Sequence, residues 1–179
     1  MTGIFLDQHE VRDGLVNGLA LGKSVLNMFS YTAAFSVAAA MGGAVETTSV
    51  DLAKRSRELS TAHFEANGFS MGNHRLVVMD VFDYFKYAKK KGLSYDLIVI
   101  DPPSFARNKK RTFSANKDYH KLIAQSLDIL SEHGTIIAST NAANMTVQQF
   151  KKQLRKGLGD VSADFVNLQQ LPADFTVNP

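Results

Sequence analysis

Apolar positions along this chain follow two different periods in alternation. From about residue 24 onward, short runs rich in β-branched and other apolar residues read as strands: Ser24–Phe29, Glu46–Val50, Arg75–Val78, Asp96–Ile100 and Thr135–Ala138, with a weaker one at Asp164–Leu168. Between them, Ala34–Met41, Ala53–Asn67, Phe82–Lys91, Lys117–Leu130 and Thr146–Lys156 read as helices. The fourth helix repeats Tyr119, Leu122, Ile123, Leu127 and Leu130 at helical spacing, and the fifth does so with Val147, Phe150, Leu154 and Leu158. Glycines at Asn67-Gly68 and Glu132-His133-Gly134 fall just past helix ends. Such alternation predicts a doubly wound α/β domain with a mostly parallel sheet.

Residues 1–23 form a lead-in segment with a short apolar patch (Ile4, Phe5, Leu6), and the predicted domain occupies 24–179. The weak last strand has no neighbour, so a further strand is expected to be missing at the carboxyl end. Internal repeats and low-complexity segments are absent.

Size and composition narrow the chemistry. At 179 residues and 45% hydrophobic content, one domain with a sizeable core is expected. The absence of cysteine excludes disulfides, thiolate metal sites and cysteine nucleophiles, and fits a cytoplasmic protein. No apolar run is long enough to cross a bilayer, and the start is not a signal peptide. The five histidines show no metal-ligand spacing, so neither a metal nor a membrane partner is expected. A net charge of +3 permits a polyanionic partner without requiring one.

The run Asp96-Leu-Ile-Val-Ile-Asp101-Pro102-Pro103-Ser104-Phe105 carries the most information. Its apolar centre reads as a strand buried on both faces, ending on an acid and two prolines. Proline disfavours helix at Asp101, so the backbone leaves the sheet extended, at the edge where open α/β sheets bind ligands. Polar residues gather at the corresponding ends of the other strands: Asn27 to Thr32, Asp51, Asp80 and Asn141. Asp51 and Asp80 have a second reading as caps of the helices that follow them. An acid about twenty residues beyond the first turn suits ribose hydroxyls. That turn contains no glycine between Lys23 and Met41, whereas a pyrophosphate wants a glycine-rich loop. S-adenosylmethionine has no phosphate, and is favoured over a nicotinamide dinucleotide.

Leu26-Asn27-Met28-Phe29-Ser30-Tyr31-Thr32, Thr48-Ser49-Val50-Asp51-Leu52, Asp80-Val81-Phe82 and Asp101-Pro102-Pro103-Ser104-Phe105 together resemble class I S-adenosylmethionine-dependent methyltransferases of bacterial 23S ribosomal RNA. Phe5-Leu6-Asp7-Gln8 looks like the segment preceding the catalytic domain in that family, whose members commonly carry a PUA domain upstream. The resemblance implies a Rossmann-like fold whose last, antiparallel hairpin this chain does not complete, S-adenosylmethionine as cofactor, and large-subunit ribosomal RNA as partner; a homodimer is also allowed. It assigns cofactor binding to Asn27, Phe29, Ser30, Tyr31, Thr32, Asp51, Leu52, Asp80, Val81 and Asp101. Target-base contact falls to Asp101, Pro102, Pro103, Phe105 and Asn141, with Phe105 stacking on the base.

Two departures from the family pattern matter. Ala33-Ala34 stand where the family usually has Gly-Gly. Asn141 stands where relatives that methylate cytosine C5 place a cysteine, whose thiolate must first add to C6. A related branch that methylates guanine N7 has asparagines there. N7 carries its own lone pair, so orientation of the base suffices; an exocyclic amine is a further target, since the Pro-Pro turn could accept from an amino group. Arg107, Lys109, Lys110 and Arg111 follow the Pro-Pro turn and read as a clamp on RNA phosphates, with a solvated linker as the other reading. Lys86 and Lys89 to Lys91 have a simpler reading as cations at a helix end. Two rival readings are a non-catalytic RNA-binding module with a decayed cofactor site and a nicotinamide-dependent oxidoreductase.

Overall fold

The computed structural model describes residues 3–108 and 110–168. Among them are seven strands: β1 (Ser24–Met28), β2 (Glu46–Asp51), β3 (His74–Val78), β4 (Tyr95–Ile100), β5 (Phe105–Arg107), β6 (Thr112–Ser114) and β7 (Leu130–Ala138). The helices are α1 (His9–Gly14), continued by a π-helical turn over Leu15–Leu19, then α2 (Ala34–Met41), α3 (Lys54–Ala66), α4 (Val81–Lys91), α5 (Ala115–Leu127) and α6 (Val147–Leu158). Five strands build one sheet in the order β3-β2-β1-β4-β7, with every pairing parallel. The chain starts in the middle, steps outward through β2 and β3, and crosses back to β4. The order therefore reverses between β1 and β4, which opens a crevice at their carboxyl ends.

Side chains alternate across each strand, so the two sheet faces carry different cores. Leu26, Met28, Ile98 and Ile100 join the larger core with Phe82, Phe85, Tyr119, Leu122 and Leu154, under α4, α5 and α6. Val25 and Leu97 face the other way, onto Leu15, Ala38 and Ala39. Leu15 and Ala20, from the lead-in, are fully buried there. Each large apolar side chain buried in this way is worth about 1.5–3 kcal/mol, which places most of the stability on the α4–α5–α6 side.

Local chemistry sets the helix ends. Asp80 caps α4, accepting from the N–H groups of Phe82 and Asp83. Gly92, at φ 65°, ends that helix in the left-handed conformation that glycine adopts without strain. Thr146 and Gln149 form a capping box at the start of α6. Gly157 lets α6 approach α5 closely: a Cβ there would lie 2.5 Å from Ile123 Cβ and 2.6 Å from the His120 carbonyl oxygen.

Three differences from the sequence reading stand out. Asp164–Leu168 is no strand; among the described residues nothing pairs with it, and Val166 is 91% exposed. A two-stranded antiparallel hairpin, β5–β6, fills what reads as an irregular loop after the Pro-Pro turn. The fourth helix ends at Leu127, and Leu130 already belongs to β7, which reaches its main register after an irregularity between its pairings with Tyr95 and Leu97.

Candidate active site

A cavity of about 520 Å³ opens at the carboxyl ends of β1, β2, β3 and β4. That volume falls within the range of roughly 300–1,000 Å³ typical of small-molecule sites. Asp51, Asp80 and Asp101, from three different strands, all line it, as do Phe29 to Thr32, Leu52, Val81, Pro102, Pro103 and Asn141.

The β1–α2 turn that forms one wall holds three non-glycine residues at left-handed φ: Phe29 at 59°, Tyr31 at 47° and Ala33 at 60°. Each such residue costs about 1–2 kcal/mol and persists only where its surroundings fix it. Here they do. The Ser30 N–H donates to the Val50 carbonyl (3.0 Å) and the Ala33 N–H to the Ser30 carbonyl (2.7 Å). The Tyr31 N–H donates to Asp51 Oδ2 (2.9 Å), and the Thr32 hydroxyl to the Gly3 carbonyl (2.6 Å). Ala33 keeps a methyl where the family pattern has glycine, and that methyl is buried among Val37, Ala40 and Phe64.

Asp51 joins two loops. While Oδ2 holds the β1–α2 turn, Oδ1 accepts from the Ala53 N–H (2.8 Å) and the Ser56 hydroxyl (3.3 Å) at the start of α3. Asp80 is equally committed: Oδ1 caps α4, and Oδ2 accepts from the Asn108 amide (2.7 Å). Arg111 lies 3.4 Å from Asp80 and 2.7 Å from Asp83, with its guanidinium over the Phe82 ring. Lys110 pairs with Asp83 at 2.7 Å, and the hydrogen bond from Lys110 is the main reason the Asp83 carboxyl lies below its usual pKa. The hairpin is thus fastened to the start of α4, beside Asp80 and Val81.

Burial pushes the Asp101 carboxyl up from the usual carboxylate pKa. A hydrogen bond from the Ser139 hydroxyl opposes this, and the negative charge of Asp7 adds to it. Tyr119, fully buried, sends its hydroxyl to the carbonyls of Ile100 (3.0 Å) and Ser139 (2.8 Å), the residues beside Asp101 and just before Thr140-Asn141. Tyr119 therefore ties these two loops as well as packing its helix.

Some residues assigned from sequence lie elsewhere. Asn27 is buried outside the cavity: period-two alternation turns it to the α2 side, where its amide donates to Ser36 (3.0 Å). Phe105 is 60% exposed and takes no part in the cavity wall, which its strand neighbour Ala106 lines instead. Of the four hairpin cations, Arg107 and Arg111 line the cavity, Lys110 is held by Asp83, and Lys109 lies outside the described residues. Four free cations are therefore not what the hairpin presents.

The structure also adds residues. Phe82 and Phe113 complete the aromatic wall with Phe29, the Phe113 ring lying 6.1 Å from each of the other two. From the lead-in come Ile4, Phe5, Asp7, Gln8 and Arg12. Phe5 packs on Tyr31 (5.6 Å between centroids), and Arg12 donates to the Phe5 carbonyl (2.7 Å). Burial lowers the pKa of this guanidinium. The apolar–acidic run Phe5-Leu6-Asp7 is the one sequence signal that marks this strap. Among the described residues, no group of histidine and acidic side chains could hold a metal ion, and no helix is long and apolar enough to cross a membrane.

The family model for S-adenosylmethionine-dependent methyltransferases matches residues 1–178. The chain belongs to that family. It is 49% identical over 98% of its length to YwbD of Bacillus subtilis, provisionally named a ribosomal RNA large subunit methyltransferase. It is 36% identical over 97% of its length to ribosomal RNA large subunit methyltransferase K of Neisseria meningitidis. The chain spans about half the length of these curated relatives (45% and 48%). The crystal structure of SMU.776, provisionally named a methyltransferase and solved with SAH, superposes with a TM-score of 0.96 at 72% identity, over 99% of this chain and 47% of that one.

S-adenosylmethionine is the methyl donor of this family, and the donor set here suits it. Four carboxylates, Asp7, Asp51, Asp80 and Asp101, line a cavity walled by aromatic rings, an environment for a cationic nucleoside. The strained turn carries side chains where a pyrophosphate would need bare backbone. A nicotinamide-dependent oxidoreductase would share the sheet; the family match replaces that alternative.

Proposed function

We propose that this methyltransferase modifies a base of large-subunit ribosomal RNA without a covalent enzyme–base adduct, at guanine N7 or an exocyclic amine rather than cytosine C5. The observation that carries this reading is Asn141 at the cavity beside Asp101-Pro102-Pro103, in a chain without cysteine. A C5 target needs a thiolate to make the carbon nucleophilic, whereas a ring nitrogen already has its lone pair. The similarity to relatives named for large-subunit ribosomal RNA supports the substrate class.

When bound, the cofactor supplies an electrophilic sulfonium methyl. Asp51 would hold ribose hydroxyls, and Asp80 with the Val81 N–H the adenine edge. Phe29, Ser30 and Tyr31 would line the methionine end, with Asp101 and Asp7 facing its ammonium group. Pro102, Pro103 and Asn141 would orient the base. Catalysis by orientation then accounts for the rate at N7, since a ring nitrogen with its own lone pair needs no general base. Incubation of unmodified 23S ribosomal RNA with methyl-labelled cofactor, followed by nucleoside analysis, tests the proposal. N7-methylguanine or an N-methylated amine is expected, and 5-methylcytosine overturns the assignment.

A further inference from the structure

The two helical layers differ in charge. Helices α4, α5 and α6 carry ten lysines and arginines against two acids, Asp83 and Asp118. On the opposite face, α1, α2 and α3 hold four cations against four acids. A net charge of only +3 for the whole chain conceals this asymmetry.

The helix dipole explains part of it. Lys89 to Lys91 end α4, and Arg155 and Lys156 end α6, where cations are favoured. It does not explain Lys117, which sits in the first turn of α5 where the dipole disfavours a cation, nor Lys151 and Lys152, ahead of the last turn of α6. Within α6, Lys151–Arg155 and Lys152–Lys156 are like-charge pairs at i,i+4, each unfavourable by about 0.2–0.5 kcal/mol. That helix contains no acid to offset them. Among the described residues, no ion pair engages Lys117, Lys151, Lys152 or Lys156. The Gln153 side chain accepts hydrogen bonds from His120 and donates one to the Asn116 carbonyl, which holds α5 and α6 side by side and places these cations on one helical layer. Both helices start near the cavity: α5 follows directly from β6, whose Phe113 lines it, and α6 follows the segment containing Asn141.

We infer that the α5–α6 surface docks the phosphate backbone of structured RNA, through Lys117, Lys151, Lys152, Arg155 and Lys156. This inference rests on the proposed RNA substrate and adds where that RNA lies: along a helical layer beside the cavity, with the target nucleotide reaching the mouth and its flanking phosphates held on the helices. Cations of this kind position RNA without reading sequence.

The test is fluorescence anisotropy with a labelled RNA hairpin of about 30 nucleotides, measured over a range of salt concentrations. The chain is compared with a variant carrying K117Q, K151Q, K152Q and K156Q, and with a control carrying K54Q and R55Q on the opposite layer. The four-site variant is expected to bind about tenfold more weakly at about 0.1 M salt, with a log–log salt slope shallower by roughly 0.7–0.9 for each phosphate no longer neutralised. Its calorimetric affinity for S-adenosylhomocysteine should be unchanged, which shows the fold and cavity to be intact. The control should match the parent. If the parent binds the hairpin and the four-site variant matches it in affinity and slope, the docking surface is wrong while an RNA substrate stands. If the parent fails to bind RNA, or binds phosphatidylglycerol vesicles instead, the RNA reading itself falls and the inference with it.

Discussion

The hydroxyl of Ser139 donates to Oδ1 of Asp101, joining the end of β7 to the first residue after β4. It is a polar partner for a carboxylate that burial otherwise disfavours. Because the folded pKa lies above the unfolded one, ionised Asp101 opposes folding: its contribution is fully favourable below about pH 4 and is lost as pH rises through the folded pKa. Asp101→Asn should therefore raise Tm at pH 7, and the difference from the parent should vanish near pH 3.5. Methyl transfer by the same variant should fall roughly 100-fold. Scanning calorimetry at the two pH values checks the first outcome, and label transfer the second; a lowered Tm at pH 7 contradicts the account.

His74 stacks on Phe64 with ring centroids 4.7 Å apart and shares a hydrogen bond with Thr47 (3.0 Å). Burial lowers its pKa, so folding favours the neutral ring. Its stabilising contribution is present above the unfolded pKa of about 6.5 and is lost as pH falls below it. Urea midpoints should drop between pH 7.5 and pH 5, and His74→Gln should flatten that part of the profile while costing about 1–2 kcal/mol at pH 7.5.

Gly157 sits where α6 meets α5, with no room for a methyl between Ile123 and the His120 carbonyl. Backbone must shift to accept one. Gly157→Ala should lose about 1–3 kcal/mol by urea titration despite its better helix propensity. Gly14, with nothing within 4 Å of its would-be Cβ, provides the comparison, and Gly14→Ala should not destabilise.

Asn108 donates its amide to Asp80 Oδ2, the acceptor proposed for the adenine amine. Both donors are NH₂ groups on a planar carbon and compete for one oxygen. Asn108→Ala should tighten S-adenosylhomocysteine binding by about 3- to 10-fold in calorimetry, the worth of one hydrogen bond. Weaker binding would show instead that Asn108 helps to build the adenine site.

The legible part of the fold was the part dictated by side-chain period. Strands such as Asp96–Ile100 are buried on both faces, so their apolar runs are continuous, and Asp51, Asp80 and Asp101 follow at their ends on one rim. Asn27 was misplaced because the same alternation that buries Val25 beneath α2 buries it too. The three-residue strands β5 and β6 are too short to show a period, and pairings distant in sequence, Asn108 with Asp80 and Arg111 with Asp83, hold them. Phe165, Val166 and Leu168 are strand-like in type, but no strand among the described residues pairs with them. Ala33 looked like a departure in the cofactor loop; its buried methyl, worth about 0.8 kcal/mol, offsets much of the strain at φ 60°.

One hydroxyl, that of Tyr119, accounts for how two active-site loops stay in step. The loops that begin at Asp101 and at Thr140 leave neighbouring strands, and each has a carbonyl tied to the same phenol. Neither can slide along its strand axis without dragging the other or breaking the tether. The spacing between the acid and the amide at the cavity mouth is thereby set from inside the protein, by a helix residue that never meets cofactor or base.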